Sequence, residues 1–299
     1  MEKLLRGTGT AVVTPFKPDG SIDYVSFKRV IDHQLDGGVE MLVPLGSTGE
    51  NPTISRTERT EIIRWIVEYV DHRAIIIAGT GTNDTRSSIE YTREALKLGV
   101  DAALIVTPYY NKPTPDGLFR HFKAVADVGL PVVMYNVPGR TGLNMNAETT
   151  LRCAEIANVS AIKEASADFA QCMEIIRHAP SGFNLLSGED NITVPLISLG
   201  ACGVISVTSN EMPREFSRMV CFALEGRFEE ARALHYELLD LMKINFIESN
   251  PGPVKAALTM MGIIEENLRL PLVPVKLESR RKIREVLEHL DAVMLEQMA

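Results

Sequence analysis

Positive charge is in short supply in this chain: 31 Lys and Arg stand against 39 Asp and Glu, a net charge of −8 over 299 residues. No basic surplus offsets phosphate, which argues against nucleic acid or an anionic membrane as a partner. Long hydrophobic runs are missing as well. No stretch reaches the ~18 apolar residues of a transmembrane helix, and the N-terminus has no basic-then-apolar signal pattern. A cytoplasmic protein is therefore expected. The four cysteines, Cys153, Cys172, Cys202 and Cys221, lie far apart and form no paired motif. Buried, reduced thiols are the natural reading. The six histidines show neither HxH nor HExxH spacing, so no metal ion is expected. The third spaced glycine of a dinucleotide fingerprint is absent from Gly7-Thr8-Gly9 and Gly79-Thr80-Gly81, which read instead as tight strand-end turns.

What the chain does have is ample core material, with 45% hydrophobic and 23% charged residues. Eight short apolar, β-branched runs cover 9–16, 41–46, 74–80, 102–109, 131–137, 159–165, 183–187 and 203–207. Most are continuous rather than alternating, as in strands covered on both faces. Amphipathic stretches with helix start signals lie between them. Ser55-Arg56-Thr57-Glu58 is a capping-box pattern ahead of Ile62, Ile63 and Ile66, and Thr114-Pro115 places a cap and then a first-turn proline. Eight strand–helix units match a (β/α)₈ TIM barrel of the α/β class, usually about 250 residues long. An open doubly wound sheet shares the alphabet but wants the missing fingerprint. Residues 1–224 are assigned to the barrel. Residues 225–299 form a C-terminal extension of three helices, at 227–246, 253–261 and 276–298, whose Leu234, Leu238 and Leu241 must pack on the barrel or on a partner chain.

Active sites of such barrels lie at the C-terminal ends of the strands. The residues there are Gly46-Ser47-Thr48-Gly49-Glu50, Tyr109-Tyr110, Tyr135 with Pro138-Gly139-Arg140, Lys163, Ser187-Gly188-Glu189-Asp190 and Gly203–Ser206. Lys163 sits in the apolar run Val159-Ser160-Ala161-Ile162-Lys163-Glu164-Ala165. An ammonium there must be paired or give up its proton, and a neutral amine is a nucleophile for carbonyl carbons. The alternative is a strand-end lysine whose stem packs while its head reaches water. Ser47 and Thr48 are either turn residues bonded to their own backbone or an N–H nest for a carboxylate. Strand alternation allows at most one of Tyr109 and Tyr110 to face the site. Tyr135 could be a core tyrosine, Arg140 a solvated loop charge, and Glu189 and Asp190 no more than helix N-terminal acids. The set suits carbonyl chemistry on an anionic substrate.

Three of these motifs, 46–50, Tyr135-Asn136-Val137-Pro138-Gly139-Arg140-Thr141 and Ile162-Lys163-Glu164-Ala165, resemble in order those of the pyruvate-dependent class I aldolases. That family includes N-acetylneuraminate lyase, and the likeness runs over the whole chain. It implies that Lys163 forms a Schiff base with pyruvate, whose enamine adds to L-aspartate 4-semialdehyde to give 4-hydroxy-tetrahydrodipicolinate, a step of lysine and diaminopimelate synthesis. It further implies a Tyr135–Ser47–Tyr110 proton relay, with Tyr110 supplied by a neighbouring subunit of a homotetramer built as a dimer of dimers. Thr48, Arg140, Ile205 and Gly188 become substrate-binding residues, and no cofactor is implied. Ser47 does not separate the synthase branch from the lyases, whereas Arg140 does, because the lyases lack an arginine there. The other readings are a second pyruvate aldolase, acting on N-acetylneuraminate or a 2-keto-3-deoxy sugar acid, and a catalytically silent barrel with a binding or regulatory role.

Lysine-inhibited members of the family hold the effector at a subunit interface with a glutamate and histidines, at positions matching Ser87, Arg56 and Arg59. This chain keeps Asn83 and Tyr109 there but has two cations and no acid to pair with an ammonium. Lysine feedback is therefore expected to be weak or absent. Steady-state rates of the purified protein should hold in millimolar lysine, and strong inhibition would overturn that expectation.

Overall fold

The computed structural model describes residues 5–298, with side chains through residue 290. Its parallel strands are β1 (Gly7–Thr10), β2 (Met41–Leu42), β3 (Ile75–Gly79), β4 (Ala102–Val106), β5 (Val132–Asn136), β6 (Val159–Glu164), β7 (Asn184–Ser187) and β8 (Gly203–Ser206). They close in sequence order, and β1 pairs with both β2 and β8, so the sheet has no edge. Closure excludes the open doubly wound alternative.

Every strand overlaps one of the eight apolar runs, although several ends differ from the sequence reading. The first strand, expected at 9–16, forms instead over Gly7–Thr10. Beyond it Ala11 and Val12 still donate to the Ser206 and Val43 carbonyls, at 2.8 and 3.2 Å, but the Val13 amide goes to Asn210 Oδ1, so pairing gives out at residue 13. The second is a regular strand over Met41–Leu42 alone; Val43 still bonds to Thr10 and Val12, and a left-handed φ of 60° at Leu45 then turns the chain into the 46–50 segment. The helix starts follow the local signals. Ser55 and Glu58 form the reciprocal capping box of Arg56–Val70, and Thr114 caps Pro115–Ala126.

Side chains alternate between two apolar layers. Val133, Tyr135 and Val137 of the β5 segment, and Ala161 and Ala165 of the β6 segment, point into the barrel with Leu186 and Ile205. Met134 and Ile162 point outward into the layer beneath the helices. That outer layer runs without a break into the C-terminal helices Phe228–Ile244 and Gly252–Met260 through Leu234, Leu238, Leu241 and Val254, and Ile283 of the last helix, Leu277–Met298, joins it. The extension therefore packs on the barrel. Among the described residues no helix is long and apolar enough to cross a membrane.

All four cysteines are free. Cys153 and Cys172 are buried, and burial pushes each thiol up to about 12, out of the reactive range. The expectation of four buried thiols fails for Cys202, which is half-buried, and for Cys221, which is exposed. Met219, Val220 and Ala223 take the inner face of Pro213–Leu224, and the helical period leaves Cys221 on the outer one.

A fully buried charged pair joins the extension to the barrel. Lys255 and Glu50 are both fully buried and form an ion pair, with the Lys255 ammonium also donating to the Asn267 carbonyl at 2.8 Å. The second Glu50 oxygen accepts from the Arg269 amide at 3.1 Å. Removing one partner of such a pair leaves a buried charge uncompensated, at a cost of about 3–5 kcal/mol. Lys255→Ala should lose stability on that scale in denaturant unfolding, and Lys255→Met combined with Glu50→Gln should lose much less. A single variant within about 1 kcal/mol of the parent would show that the pair is not compensating buried charge.

Candidate active site

The two-residue period of a strand decides which way Lys163 points. Ala161 and Ala165 face the barrel interior, so Lys163 between them does too, while Ile162 and Glu164 face outward. Lys163 is 5% exposed. Its register partner on β5 is Tyr135, equally inward, and Nζ lies over the Tyr135 ring at 4.5 Å from the centroid. Among the described residues the amine has no hydrogen-bond or ion-pair partner within the protein. The outward neighbours lock the same two strands together. Asn136 is the register partner of Glu164 and donates to both its oxygens, at 3.0 and 3.1 Å. The Ser166 amide and Gln171 donate to Glu164 as well, and burial still pushes its carboxyl above the usual range. The Asn and Glu in these two motifs thus fix the spacing of Tyr135 and Lys163, a role that strand alternation signals.

A cavity of about 350 Å³ opens beside Tyr135, and Ser47, Val137, Arg140, Tyr109, Tyr91 and Arg59 are among the residues that line it. Lys163, over the Tyr135 ring, does not line it. The 46–50 turn crosses the end of β3, where a Cβ on Gly79 would stand 2.0 Å from the Leu45 carbonyl oxygen, so only glycine permits the approach. Within that turn Ser47 is half-buried and Thr48 is buried. Among the described residues no protein acceptor claims the backbone N–H of either. The turn presents amides and hydroxyls to an anion, the geometry of a nest. The Thr48 hydroxyl oxygen accepts from Asn250 Nδ2 at 2.9 Å.

Arg140 sits on the short helix Pro138–Thr141, exposed at the mouth, and donates from Nη2 to the Asn250 carbonyl at 3.1 Å. Ile205 is buried in the barrel interior beside Gly9. Gly188 continues the β6–β7 pairing, its amide donating to the Glu164 carbonyl at 2.7 Å, and a Cβ there would stand 2.6 Å from Ala165 Cβ.

Tyr110 is not brought to the others. It is 90% exposed, has a φ of 72° and does not line the cavity, whereas Tyr109 does. β4 ends at Val106, so the two tyrosines belong to a loop. The left-handed backbone separates them, and the pleat argued from the sequence does not apply.

Two acids after β7 have more to do than the sequence suggested. Burial and neighbouring Asp190 push the Glu189 carboxyl up, while Lys163 and Arg140 act against that shift, which puts Glu189 within electrostatic reach of both cations. Asp190 is buried and accepts from the Val207 and Thr208 amides at 3.1 and 2.8 Å. It braces the end of β8 and does not simply serve its own helix. Their place at a strand end was the available signal. Among the described residues no group of three or more His, Cys, Asp or Glu side chains is placed to hold a metal ion.

The fold and much of the sequence recur in known proteins. Residues 4–290 match the dihydrodipicolinate synthetase family. The chain is 48% identical to the 4-hydroxy-tetrahydrodipicolinate synthase of Phocaeicola vulgatus over 96% of its length and 97% of the relative's. Among solved structures, a dihydrodipicolinate synthase variant characterised as monomeric superposes with a TM-score of 0.95 at 43% identity, covering 97% of this chain and 98% of that one. The chloride-inhibited enzyme of Acinetobacter baumannii, complexed with pyruvate, gives 0.94 at 41% identity, covering 96% and 99%. Matched by the family model over residues 4–290 and by a relative 48% identical over nearly its whole length, the chain belongs to the dihydrodipicolinate synthetase family.

Proposed function

We propose that this protein condenses pyruvate with L-aspartate 4-semialdehyde to give 4-hydroxy-tetrahydrodipicolinate, as a lyase of the class I aldolase type. The observation that carries this reading is the apposition of an inward, buried Lys163 and its register partner Tyr135 beside a nest of unclaimed amides. The Lys163 amine attacks the keto carbon of pyruvate. Water leaves, and the iminium that forms draws electrons from the adjacent methyl group. Loss of a methyl proton gives an enamine, whose carbon attacks the aldehyde while the aldehyde oxygen takes up a proton. The substrate's own amino group then displaces Lys163 and closes the ring.

Pyruvate's carboxylate rests on the Ser47 and Thr48 amides and on the Thr48 hydroxyl, where an anion finds donors and no competing acceptor. Tyr135, whose ring contacts the amine, exchanges the protons at the imine. Gly188 and the Ile205 carbonyl complete the wall around the imine. Arg140 binds the carboxylate of the semialdehyde at the mouth with a planar fork of donors. A cation at this point favours the short amino-acid aldehyde over the hydroxyl-rich sugar acids handled by other pyruvate aldolases. Tyr110, exposed on its own subunit, completes the Ser47–Tyr135 relay of a neighbouring copy, so that the working unit is at least a dimer and, by family analogy, a tetramer.

Borohydride added in the presence of pyruvate should trap one adduct, and peptide mapping should find it on Lys163. An unlabelled Lys163 would leave a silent barrel. Arg140→Ala should lower kcat/KM for the semialdehyde by about 10–100-fold, the worth of a charge-assisted hydrogen bond, and leave trapping nearly intact. Equal loss of both would mean that Arg140 serves pyruvate, and turnover of N-acetylneuraminate in place of the semialdehyde would move the protein to the lyases.

The shared site has its own test. Lys163→Ala and Tyr110→Phe subunits, each nearly inactive alone, should regain activity when reassembled as mixed oligomers. No recovery from mixtures shown to contain both chains would place Tyr110 outside the partner's site.

A further inference from the structure

The signature turn and the mouth arginine are both held by one residue of the extension. Asn250 lies between the helices Phe228–Ile244 and Gly252–Met260 and is 4% exposed. Its side-chain Nδ2 donates to Thr48 Oγ1 at 2.9 Å, and its backbone carbonyl accepts from Arg140 Nη2 at 3.1 Å. Its Oδ1 is buried and meets no protein donor among the described residues. A threonine hydroxyl has a single hydrogen on a free rotor. With the oxygen already accepting from Asn250, that hydrogen is left to point elsewhere, and the Ser47 and Thr48 amides beside it have no protein acceptor among the described residues.

We propose that Asn250 is a positioning residue for the keto acid: its amide orients the Thr48 hydroxyl as a donor to the substrate carboxylate, while its carbonyl holds Arg140 over the same cavity. The proposal rests on the reading that the 47–48 turn holds pyruvate. It gives the extension a part in binding that barrel residues alone do not supply. Because the side chain reaches Thr48 and the main chain reaches Arg140, the two effects separate. A change of side chain disturbs the pyruvate end and leaves the bond to Arg140 in place.

The test is a double-mutant cycle read in both substrates. Asn250→Ala should raise the KM for pyruvate about 10-fold, the worth of one hydrogen bond to a charged ligand's donor, and change kcat and the semialdehyde KM by less than about 3-fold. In a Thr48→Val background the same substitution should add nothing. Asn250→Asp keeps the size but offers an acceptor where a donor stood, so it should raise the pyruvate KM at least as much. It carries the test where the alanine variant does not fold. Additive effects of Asn250 and Thr48, a wild-type-like Asn250→Asp, or equal loss for both substrates would each overturn the proposal. Absence of borohydride trapping at Lys163 in the parent enzyme removes the underlying reading. Normal trapping in the parent with an additive cycle removes the Asn250 proposal alone.

Discussion

The direction of a single side chain on β6 organises this molecule. In a strand, successive residues face opposite sides, and in a closed barrel one side is an interior from which water is largely excluded. Lys163 has the parity of Ala161 and Ala165, so its amine must enter that interior. Among the described residues it has no hydrogen-bond or ion-pair partner, and it lies over the π-face of Tyr135, which favours a cation only modestly. An amine held so loosely beside a cavity is disposed towards an electrophile. The outward side of the same strands pays for none of this chemistry but fixes its geometry, since Asn136, Gln171 and Ser166 converge on Glu164 and hold β5 and β6 in register.

The anion-binding half of the site depends on a different constraint. The 46–50 turn must pass close over β3, which Gly79 permits, and it must be held from behind, which the extension does. Lys255 meets Glu50 and Asn250 meets Thr48, so two contacts from residues 250–255 bracket the turn. A buried ion pair contributes little net stability against an apolar replacement, but it tolerates only one arrangement of the chain around it. The same stretch reaches Arg140 through a backbone carbonyl, which is insensitive to the side chain that carries it. Barrel and extension thus share the task of placing the Thr48 hydroxyl and the Arg140 guanidinium.

Much of this was legible before any coordinates. The eight apolar runs, the capping box at Ser55 and the strand-end position of Lys163 follow from local period and local chemistry, which do not depend on distant residues. Strand ends were less legible. Residues 11–16 look like a strand by composition, yet Asn210, just beyond the neighbouring β8, takes the Val13 amide that pairing would have used. Tyr110 illustrates the same limit, because a left-handed φ in a loop cannot be inferred from strand alternation.

The sequence by itself determined the barrel class and the set of reactive groups at its mouth, because both are written in spacing along a few neighbouring residues. Only the tertiary structure decided that Lys163 faces inward and which distant groups meet at the mouth. The Asn136–Glu164 lock, the Glu50–Lys255 pair, the approach of Glu189 to two cations and the double grip of Asn250 join segments between about 25 and 205 residues apart. Contacts of that kind arise when a closed sheet brings all its strand ends to one face, and no local pattern in the chain encodes them.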